Sequence, residues 1–405
     1  MTRILALWLF LGAPIHLAAQ GALDSFGAAQ FTSDGTSLAA SVKGWALQLE
    51  ITPLHKNTTT LRLALNDTGL GEPSFIGVRP CAISISTSNR VAAIGISEMA
   101  KSGSEQRRRG IFIALVDLET NRWGKHYFIV PIRSPGNIPR FVGFWGDSDE
   151  LVFITDTDTS SRVITVDLID TSDGNVTRTT EDLKPFPPTR RVFFDARNRR
   201  AWLAFEARRV GDEKMNVPIL RSISLAADKK EPIVGLANLR AEHTSTKWLV
   251  PETMAFPNLT TIVFGENNWA AGFGPNRLWV ADLATASLRE MSLPRDLGEA
   301  LMHGLGLTWY EQVIEPIALS PDERFAVIPI TLEALGPPYI VDNYVSKGIR
   351  LVVVDLQRLR VVSSIKPEHD RKPVGFALDH REGKVTLLVN WHDDWKHLEF
   401  AVPQQ

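Results

Sequence analysis

Short apolar segments and short polar turns follow one another along almost the whole chain. The segment EPIALSPDERFAVIPI, residues 315–330, contains an apolar run, a turn and a second apolar run, and RPCAISISTSNRVAAIGI, residues 79–96, has the same order. Two apolar runs that flank a turn of Ser, Asp, Asn, Pro or Gly are typical of a β-hairpin. Less regular copies of this segment begin at Ala28, Phe141, Arg191, Thr253 and Pro373.

A second hairpin pattern follows the first in most units. LWVADLATASLREM, from Leu278, and LVVVDLQRLRVV, from Leu351, each contain two apolar segments around a turn. We predict that one equivalent position near this turn is occupied by Asp117, Asp167, Asp282 and Asp355. Each unit therefore contains four short strands, and the unit repeats about every 50 to 60 residues.

Four-stranded units that recur in this way predict an all-β fold, a β-propeller of seven four-stranded blades around an axis. Six or eight blades also fit, because the fifth unit, from Thr253, is degenerate. Helical periodicity is nearly absent. The main helix candidate is PRDLGEALMHGLGLTWYEQ, from Pro294, inside a connection.

The last unit contains only three predicted strands before Gln405. We expect the segment around residues 22–27 to supply its missing outer strand. Such pairing would remove two open sheet edges at once, since an unpaired edge is a template for aggregation. The ring would then close through an N-terminal strand that completes the last blade.

The cadence IALSPDER followed by VVVDL, from Ile317 and Val352, resembles the bacterial YVTN-type and WD-like propeller repeats of exported proteins. The resemblance extends over nearly the whole chain after the first 19 residues. The GH and WD pairs of eukaryotic WD repeats are absent. The resemblance implies a propeller fold, and a fold by itself does not specify chemistry.

The first 19 residues have the composition of a signal peptide. Arg3 precedes the apolar run of residues 4–11, and Ala18 and Ala19 form a small-residue cleavage site. We therefore predict one propeller domain over residues 20–405, periplasmic or extracellular. No later segment is long and apolar enough to span a membrane as a helix. The single cysteine, Cys81, cannot form an internal disulfide, and its apolar surroundings predict a buried thiol.

Composition narrows the classes of partner. A 44% hydrophobic and 22% charged chain is typical of a globular protein with a substantial core. The formal net charge of −2 excludes a globally basic nucleic-acid-binding protein. We predict a monomer that binds a protein partner or a small anionic ligand, without a cofactor, nucleic acid or membrane span.

The position of the long connections predicts which face binds. Turns between the first and second strands, and between the third and fourth, stay short. Connections from the second to the third strand are long in most units, at residues 97–110, 206–218, 265–276 and 331–348. These connections emerge at one end of the blades, and long loops on a rigid scaffold commonly carry function. Harmless drift of insertions is the alternative.

Basic residues precede several predicted inner strands, where their side chains would surround the mouth of the central channel. Arginine binds carboxylate and phosphate groups in a bidentate manner, so this set predicts an anion site. Pairing with nearby acids such as Glu72, Glu315 and Asp370 is an equally good explanation. The basic set comprises Arg79, Arg140, Arg190, Arg191, Arg371 and Lys372.

Aromatic residues on the same face could stack on sugars or on a partner's side chains. Packing of the loops onto the blades is the simpler explanation for most of them. The predicted long-loop residues are Trp269, Tyr339, Tyr344, Trp391, His392 and Trp395.

Catalytic motifs are scarce. The cluster NWHDDWKH, residues 390–397, could bind a metal through His392, Asp393, Asp394 and His397, although a solvated hairpin tip is the simpler explanation. DTDTSSRVITVD, from Asp156, begins like a calcium loop but lacks the required glycine and the final glutamate. Propeller lactonases hold a metal with Glu, Asn and Asp, which Glu252, Asn267 and Asn268 could imitate.

The sequence therefore favours an exported binding or scaffolding module that uses its long-loop face. A metal-dependent lactonase-like or other hydrolytic propeller is the enzyme alternative. A structural subunit of a cell-envelope assembly is a third possibility, which a large apolar patch on the rim of the disc would favour.

Overall fold

The chain folds into seven antiparallel β-sheets, and no helix occurs among the residues that the structure describes. The computed structural model describes residues 26–43, 46–65, 82–100, 109–129, 140–158, 163–182, 191–204, 220–225, 251–257, 260–266, 277–285, 287–293, 308–313, 317–335, 345–366, 375–391 and 395–402. Within these ranges no helix is long and apolar enough to cross a membrane. Cys81 lies outside them.

The first three sheets, blades 1 to 3, each contain four strands in chain order. Blade 1 comprises β1 (Phe26–Phe31), β2 (Ser37–Lys43), β3 (Ala46–Thr52) and β4 (Thr59–Ala64). Blade 2 comprises β5 (Ala82–Ile85), β6 (Val91–Ala100), β7 (Arg109–Asp117) and β8 (Arg122–Ile129). Blade 3 comprises β9 (Arg140–Phe144), β10 (Glu150–Asp158), β11 (Val163–Asp170) and β12 (Val176–Asp182).

Blades 4 to 7 follow the same plan with local departures. Blade 4 comprises β13 (Arg191–Asp195), β14 (Arg200–Ala204) and β15 (Leu220–Ser224), and blade 5 comprises β16 (Pro251–Ala255), β17 (Thr261–Glu266), β18 (Arg277–Asp282) and β19 (Ser287–Ser292). Blade 6 comprises β20 (Thr308–Val313), β21 (Ala318–Leu319), β22 (Phe325–Leu335), β23 (Val345–Asp355) and β24 (Arg360–Ile365). Blade 7 comprises β25 (Gly375–Arg381), β26 (Lys384–Asn390) and β27 (Trp395–Ala401).

A buried hydroxyl explains why the first hairpin segment recurs. Ser320 Oγ accepts a hydrogen bond from the Phe325 amide at 3.0 Å and lies 2.5 Å from Asp322 Oδ1, to which it donates. Ser86 Oγ similarly accepts from the Val91 amide at 3.1 Å. Both serines are buried, so the turn carries its own partners for backbone groups that water cannot reach.

A carboxylate closes the second hairpin turn. The Oδ1 atom of Asp355 accepts from the amides of residues 357 and 358 at 3.0 Å each, and Asp117 and Asp282 make the corresponding pairs of bonds. The prediction that Asp167 is the equivalent residue in blade 3 is wrong. Strand β11 runs three residues further, so Asp170 binds the turn amide instead, at 2.8 Å from Ser172 N.

Apolar clusters between the blades show that the ring is closed. Seven such clusters occur among the described residues, and each contains residues of two neighbouring blades. An open row of seven sheets would have six interfaces, so the seventh closes the ring. That interface brings Phe31 and Ala39 of blade 1 against Ala377 and Leu388 of blade 7. The architecture is a seven-bladed β-propeller.

The predicted closing strand is partly corrected. Phe26 and Gly27 pair with Val42 and Ser41 inside blade 1, as the start of its innermost strand, so they do not extend the last blade. Residues 22–25 lie outside the described ranges, and blade 7 contains three described strands. Among the described residues, side-chain packing rather than an added strand closes the ring.

Several residues predicted to lie in connections are strands instead. The ladder between β6 and β7 continues to Ala100 and Arg109, and β22 continues to Leu335. The helix predicted from Pro294 is also wrong in its described part, because Thr308–Val313 pairs with residues 330–335 as β20. The extended β22 offers a partner edge, and this long-range pairing outweighs the local helical period.

Candidate binding face

The blades have two dissimilar ends. We call the end with the turns at residues 32–36, 86–90, 145–149, 196–199, 320–324 and 382–383 the short-turn face. The opposite end, where β2 of blade 1 and its counterparts finish, is the long-loop face.

Polar contacts link every pair of neighbouring blades at the short-turn face. At the closing interface, an Arg381 Nη2 hydrogen donates to the Ser33 carbonyl at 2.5 Å. Gly35 permits this approach: its φ is +89°, and a Cβ there would lie 2.6 Å from Arg381 Nε. Going around the ring from blade 1, the other six contacts are Asn89–Ser33, Tyr127–Thr171, Gly146–Ala196, Arg197–Pro257, Arg289–Gln357 and His380–Asp322.

One of these contacts also spans two blades. Arg197 of blade 4 donates to the Pro257 carbonyl of blade 5 at 2.7 Å and pairs with Glu323 of blade 6. Side chains and carbonyls of this face are thus engaged with each other. The polar groups named here at the short-turn face are therefore already used in contacts between blades.

Two carboxyl groups at this face have shifted pKa values in opposite directions. Burial would raise the pKa of Asp322, but hydrogen bonds from Ser320 and His380 outweigh it, and the pKa is lowered. At Asp195 burial prevails over the hydrogen bonds from Asn198 and raises the pKa to about 6. Asp195 is the last residue of β13 before its turn and lies opposite Arg200, as Ser86 and Ser320 lie opposite Val91 and Phe325 in other blades.

The long-loop face is uneven in height. From the short-turn face, β22 runs for 11 residues and β6 for 10, whereas β2 and β26 run for 7 each. At about 3.3 Å per residue, blades 2 and 6 rise roughly 10–13 Å above blades 1 and 7. The neighbours in the ring follow the order 6, 7, 1, 2. Among the described strands, those of blades 7 and 1 therefore end lower than those of blades 2 and 6, and we call this low stretch of strand ends the notch.

Register shifts occur in the long ladders of blades 2 and 6. The β6–β7 ladder is irregular between Ile96 and Met99, and the β22–β23 ladder between Thr331 and Glu333. A bulge bends a strand and re-aims the residues beyond it. In blade 2 the shift lies just beyond Gly95, where pairing with the inner strand β5 ends.

Two half-buried tryptophans lie at the notch end of blade 7. Trp391 follows β26 and packs against the cluster between blades 6 and 7. Trp395 begins β27 opposite Asn390 and packs against the cluster between blades 7 and 1. The Nε1 atom of Trp395 is buried and has no acceptor among the described residues.

Two exposed lysines accompany the tryptophans. Lys43 ends β2, and strand alternation places it on the side of Ala39, which faces blade 7. Lys396 follows Trp395 and lies on the side of Leu398 and Phe400, which pack toward blade 6. No sequence motif distinguishes these lysines, because only strand register assigns them to this end.

Several predicted site residues have a described backbone position without a described side chain. Arg140 and Arg191 begin the inner strands β9 and β13 at the long-loop face, and Glu252 lies in β16 between Pro251 and Thr253, where the ladder shifts. The remaining predicted residues lie outside the described ranges and stay predictions: Arg79, Arg190, Arg371, Lys372, Trp269, Tyr339, Tyr344, His392, Asn267, Asn268, Asp393 and Asp394.

Metal-binding geometry is absent from the part of the chain that the structure describes: no group of three His, Cys, Asp or Glu side chains converges there. Asp156 and Asp158, which begin the calcium-like segment, lie in β10 and pair with Thr165 and Val163 of β11. The described part of this segment is therefore strand, and residues 159–162 at its tip lie outside the described ranges.

Comparisons with known proteins give structural similarity only. No family model matches the chain, and neither does any curated protein. A member of the DUF4221 family from Bacteroides vulgatus is 11% identical with a TM-score of 0.47, over 82% of this chain and 94% of that one. The propeller domain of the Trilobed protease from Pyrococcus furiosus is 11% identical with a TM-score of 0.43, and the match covers 94% of this chain and 96% of that one.

The acylaminoacyl peptidase of Pyrococcus horikoshii is 10% identical with a TM-score of 0.45, and this chain covers 52% of its length. At identities this low, the similarity is one of strand arrangement alone, and nothing about ligands or activity follows from it. The propeller assignment rests on strand order and on the seven clusters. The resemblance to YVTN-type repeats stays a prediction.

Proposed function

We propose that this propeller is an exported binding or scaffolding module that engages its partner through the long-loop face. The observation that carries the proposal is one-sided elaboration. Ladders in blades 2 and 3 run past their inner strands toward the long-loop face, and in blade 6 β22 continues to Leu335 with β20 paired beside it. Polar contacts link all seven pairs of neighbouring blades at the short-turn face.

The physical basis is a division of roles between the two ends. Polar groups that are already paired offer little to a partner, because a partner would have to replace bonds that exist. Strands that continue beyond the blade add surface on a rigid base, and recognition surfaces are commonly built in that way. The long-loop face therefore supports binding better than the opposite one.

Exposed positive charge supports an anionic ligand in this proposal. Lys43 and Lys396 are exposed at the notch end of blades 1 and 7. The acids Glu50 and Glu399 of the same blades lie further toward the short-turn face, opposite Thr60 and Thr386 in their ladders. A small anionic ligand or an acidic surface of a protein partner complements this arrangement.

The first test is a thermal-shift panel on residues 20–405 with small carboxylates, anionic sugars, calcium, zinc and a chelator. A ligand at about a hundred times its dissociation constant adds roughly 2.7 kcal/mol to the free energy of unfolding. We expect stabilisation by anions. Stabilisation by a metal alone would instead favour the lactonase-like enzyme.

Amide hydrogen exchange with the stabilising ligand then locates the site. We expect protection at residues 96–100, 308–313, 331–335, 345–349 and 395–397. Protection confined to the turns at residues 32–36, 196–199 and 320–324 would overturn the assignment of the face.

A further inference from the structure

We propose that Asn57 and Asn175 are N-glycosylation sites, and that their glycans cover two apolar side chains that are exposed beside them. The inference goes beyond the proposed function and shares with it only the predicted export of the chain. Each asparagine begins an Asn-X-Thr triplet, the acceptor sequence for transfer of an oligosaccharide to an asparagine side chain.

The structure describes two such triplets, and both are exposed. Asn57 lies in the turn between β3 and β4, and Asn175 lies in the turn between β11 and β12. The side chains of both asparagines are exposed, and so are those of the triplet threonines, Thr59 and Thr177. Two further triplets in the sequence lie outside the described ranges and begin at Asn66 and Asn258.

Both turns lie at the outer edge of their blades, at the end opposite the long-loop face. Each turn joins the third strand of a blade to the fourth, which is the last strand in the order of its sheet. Thr59 and Thr177 pair with Ile51 and Leu168 on the inner side of these strands. No described strand of the same blade follows on the outer side, so a bulky sugar chain there would extend into solvent.

Exposed apolar side chains give an independent argument. Among the described residues, two large apolar side chains are exposed, Leu54 at 45% and Val176 at 57%. Leu54 lies three residues before Asn57 in the same turn, and Val176 directly follows Asn175. A single exposed apolar residue is ordinary on a protein surface. Both of these, however, adjoin an acceptor asparagine, and a glycan is a bulky, solubilising group that would cover each of them.

The turn at Asn175 accommodates the modified side chain. The Asn175 carbonyl accepts from the Asp170 amide at 3.0 Å, and the Asn175 amide donates to Asp173 Oδ1 at 2.8 Å, so the backbone is fixed. The side-chain Nδ2 donates a hydrogen to Asp173 Oδ2. Because Nδ2 carries two hydrogens, replacement of the other one by a sugar leaves this bond intact.

The transfer requires a co-substrate, an oligosaccharide attached to a lipid through pyrophosphate. Nδ2 of the asparagine attacks the anomeric carbon C1 of the first sugar. The C1–N bond forms while the C1–O bond to the phosphate breaks, and the lipid pyrophosphate leaves with the electron pair. One amide proton goes to a base of the transferase, which recognises the threonine hydroxyl two positions after the asparagine.

The experiment is secretion of residues 20–405 from a eukaryotic host cell behind the host's own leader, followed by peptide mass mapping. We expect a glycan on Asn57 and on Asn175, and an aspartate at each position after treatment with peptide N-glycosidase. Thr177→Ser keeps the hydroxyl and should keep the glycan on Asn175, whereas Thr177→Ala should lose it.

Asn121 is the matched internal control. It lies in the equivalent turn of blade 2, between β7 and β8, but the residue two positions on is Trp123, which has no hydroxyl. We expect Asn121 to be unmodified in the same peptide map. A glycan there would show that exposure of a turn, rather than the triplet, selects the site.

The covering role is tested by self-association. The double variant Asn57→Gln and Asn175→Gln, secreted in the same way, should scatter more light at high concentration than the glycosylated protein. Addition of Leu54→Thr and Val176→Thr to this variant should return the scattering to the level of the glycosylated protein.

Two results would overturn the inference. A secreted protein without a glycan on Asn57 or Asn175 would refute that acceptor site, and equal light scattering with and without the glycans would refute the covering role. Neither result bears on the proposed function, because both turns lie at the end of the blades opposite the long-loop face.

Discussion

A single position, the residue that precedes the four-residue loop of the inner hairpin, shows how residue chemistry sets the behaviour of this protein. Ser86 and Ser320 fill it with a hydroxyl that is neutral and fully bonded when buried. Asp195 fills it with a carboxyl that burial makes harder to ionise, and its pKa rises to about 6. The folded protein therefore binds a proton at Asp195 more tightly than the unfolded chain does.

Asp195→Asn should stabilise the protein at pH 8 and have little effect at pH 4. The folded pKa of about 6 exceeds the unfolded value of 3.8, so the contribution of Asp195 is fully present below pH 4 and is lost as the pH rises through 6. An asparagine cannot ionise, so this loss of stability does not occur, and its amide oxygen still accepts a hydrogen bond. We expect the free energy of unfolding at pH 8 to rise by about 1–3 kcal/mol. Urea denaturation at both pH values measures it. An equal effect at both would refute the assigned cause.

Asp355→Ala should destabilise the protein more than Asp117→Ala does. Both carboxylates accept two turn amides, but Asp355 is fully buried and also holds Arg324, whereas Asp117 is exposed. We expect losses of about 3 kcal/mol and about 1 kcal/mol respectively, because only the buried site leaves a charged partner unpaired. Chemical denaturation compares the two, and similar losses would contradict the role of Arg324.

At the scale of elements, hairpins are predictable from the sequence and strand ends are not. Each turn carries its own signal, such as Ser320 or Asp355, and these residues bind their own loops. The length of β22 depends on its pairing with the neighbouring strands β20 and β23, so a pattern within β22 alone does not predict it. The prediction for Asp167 is wrong for the same reason, because Val-Asp-Leu recurs where β11 is longer.

Gly35→Ala should be more destabilising than Gly383→Ala. Both glycines have positive φ, +89° and +75°, so both substitutions strain the backbone. Only at Gly35 would the new Cβ meet another blade, at 2.6 Å from Arg381 Nε, whereas nothing lies within 4 Å at Gly383. We expect Gly383→Ala to cost about 1 kcal/mol and Gly35→Ala at least about 1 kcal/mol more. Thermal denaturation tests the difference, and equal costs would show that the arginine moves aside freely.

At the scale of the whole molecule, the number of blades follows from counting repeats, and the candidate site follows only in part. Trp391 and Trp395 are predictable as aromatic residues of a long-loop face. Lys43 and Lys396 are not, since charged residues at strand ends are common and only the ring order 6, 7, 1, 2 groups these two. The contact between blades 7 and 1, which are distant in sequence, sets that order, and the composition of the chain does not predict it.

The closing interface should be the weakest part of the ring. Its cluster has four buried members, fewer than any other interblade cluster of the described residues. Leu388→Ala should cost about 2–5 kcal/mol and accelerate amide exchange in blades 7 and 1 before the other blades. Leu203→Ala, in the cluster between blades 3 and 4, is the control. Uniform acceleration in both variants would show that the ring opens as one unit.

The bond from Arg381 to the Thr32 carbonyl joins residues 349 positions apart. Blade 1 can form its own sheet as soon as it is made, but one flank of that sheet stays uncovered until blade 7 exists. A ribosome adds roughly 5–20 residues per second, so the exposed flank must wait on the order of tens of seconds. During that interval the flank of blade 1 that will face blade 7 is the surface that a chaperone would have to shield, and slow translation of residues 65–375 should lower the yield of soluble protein.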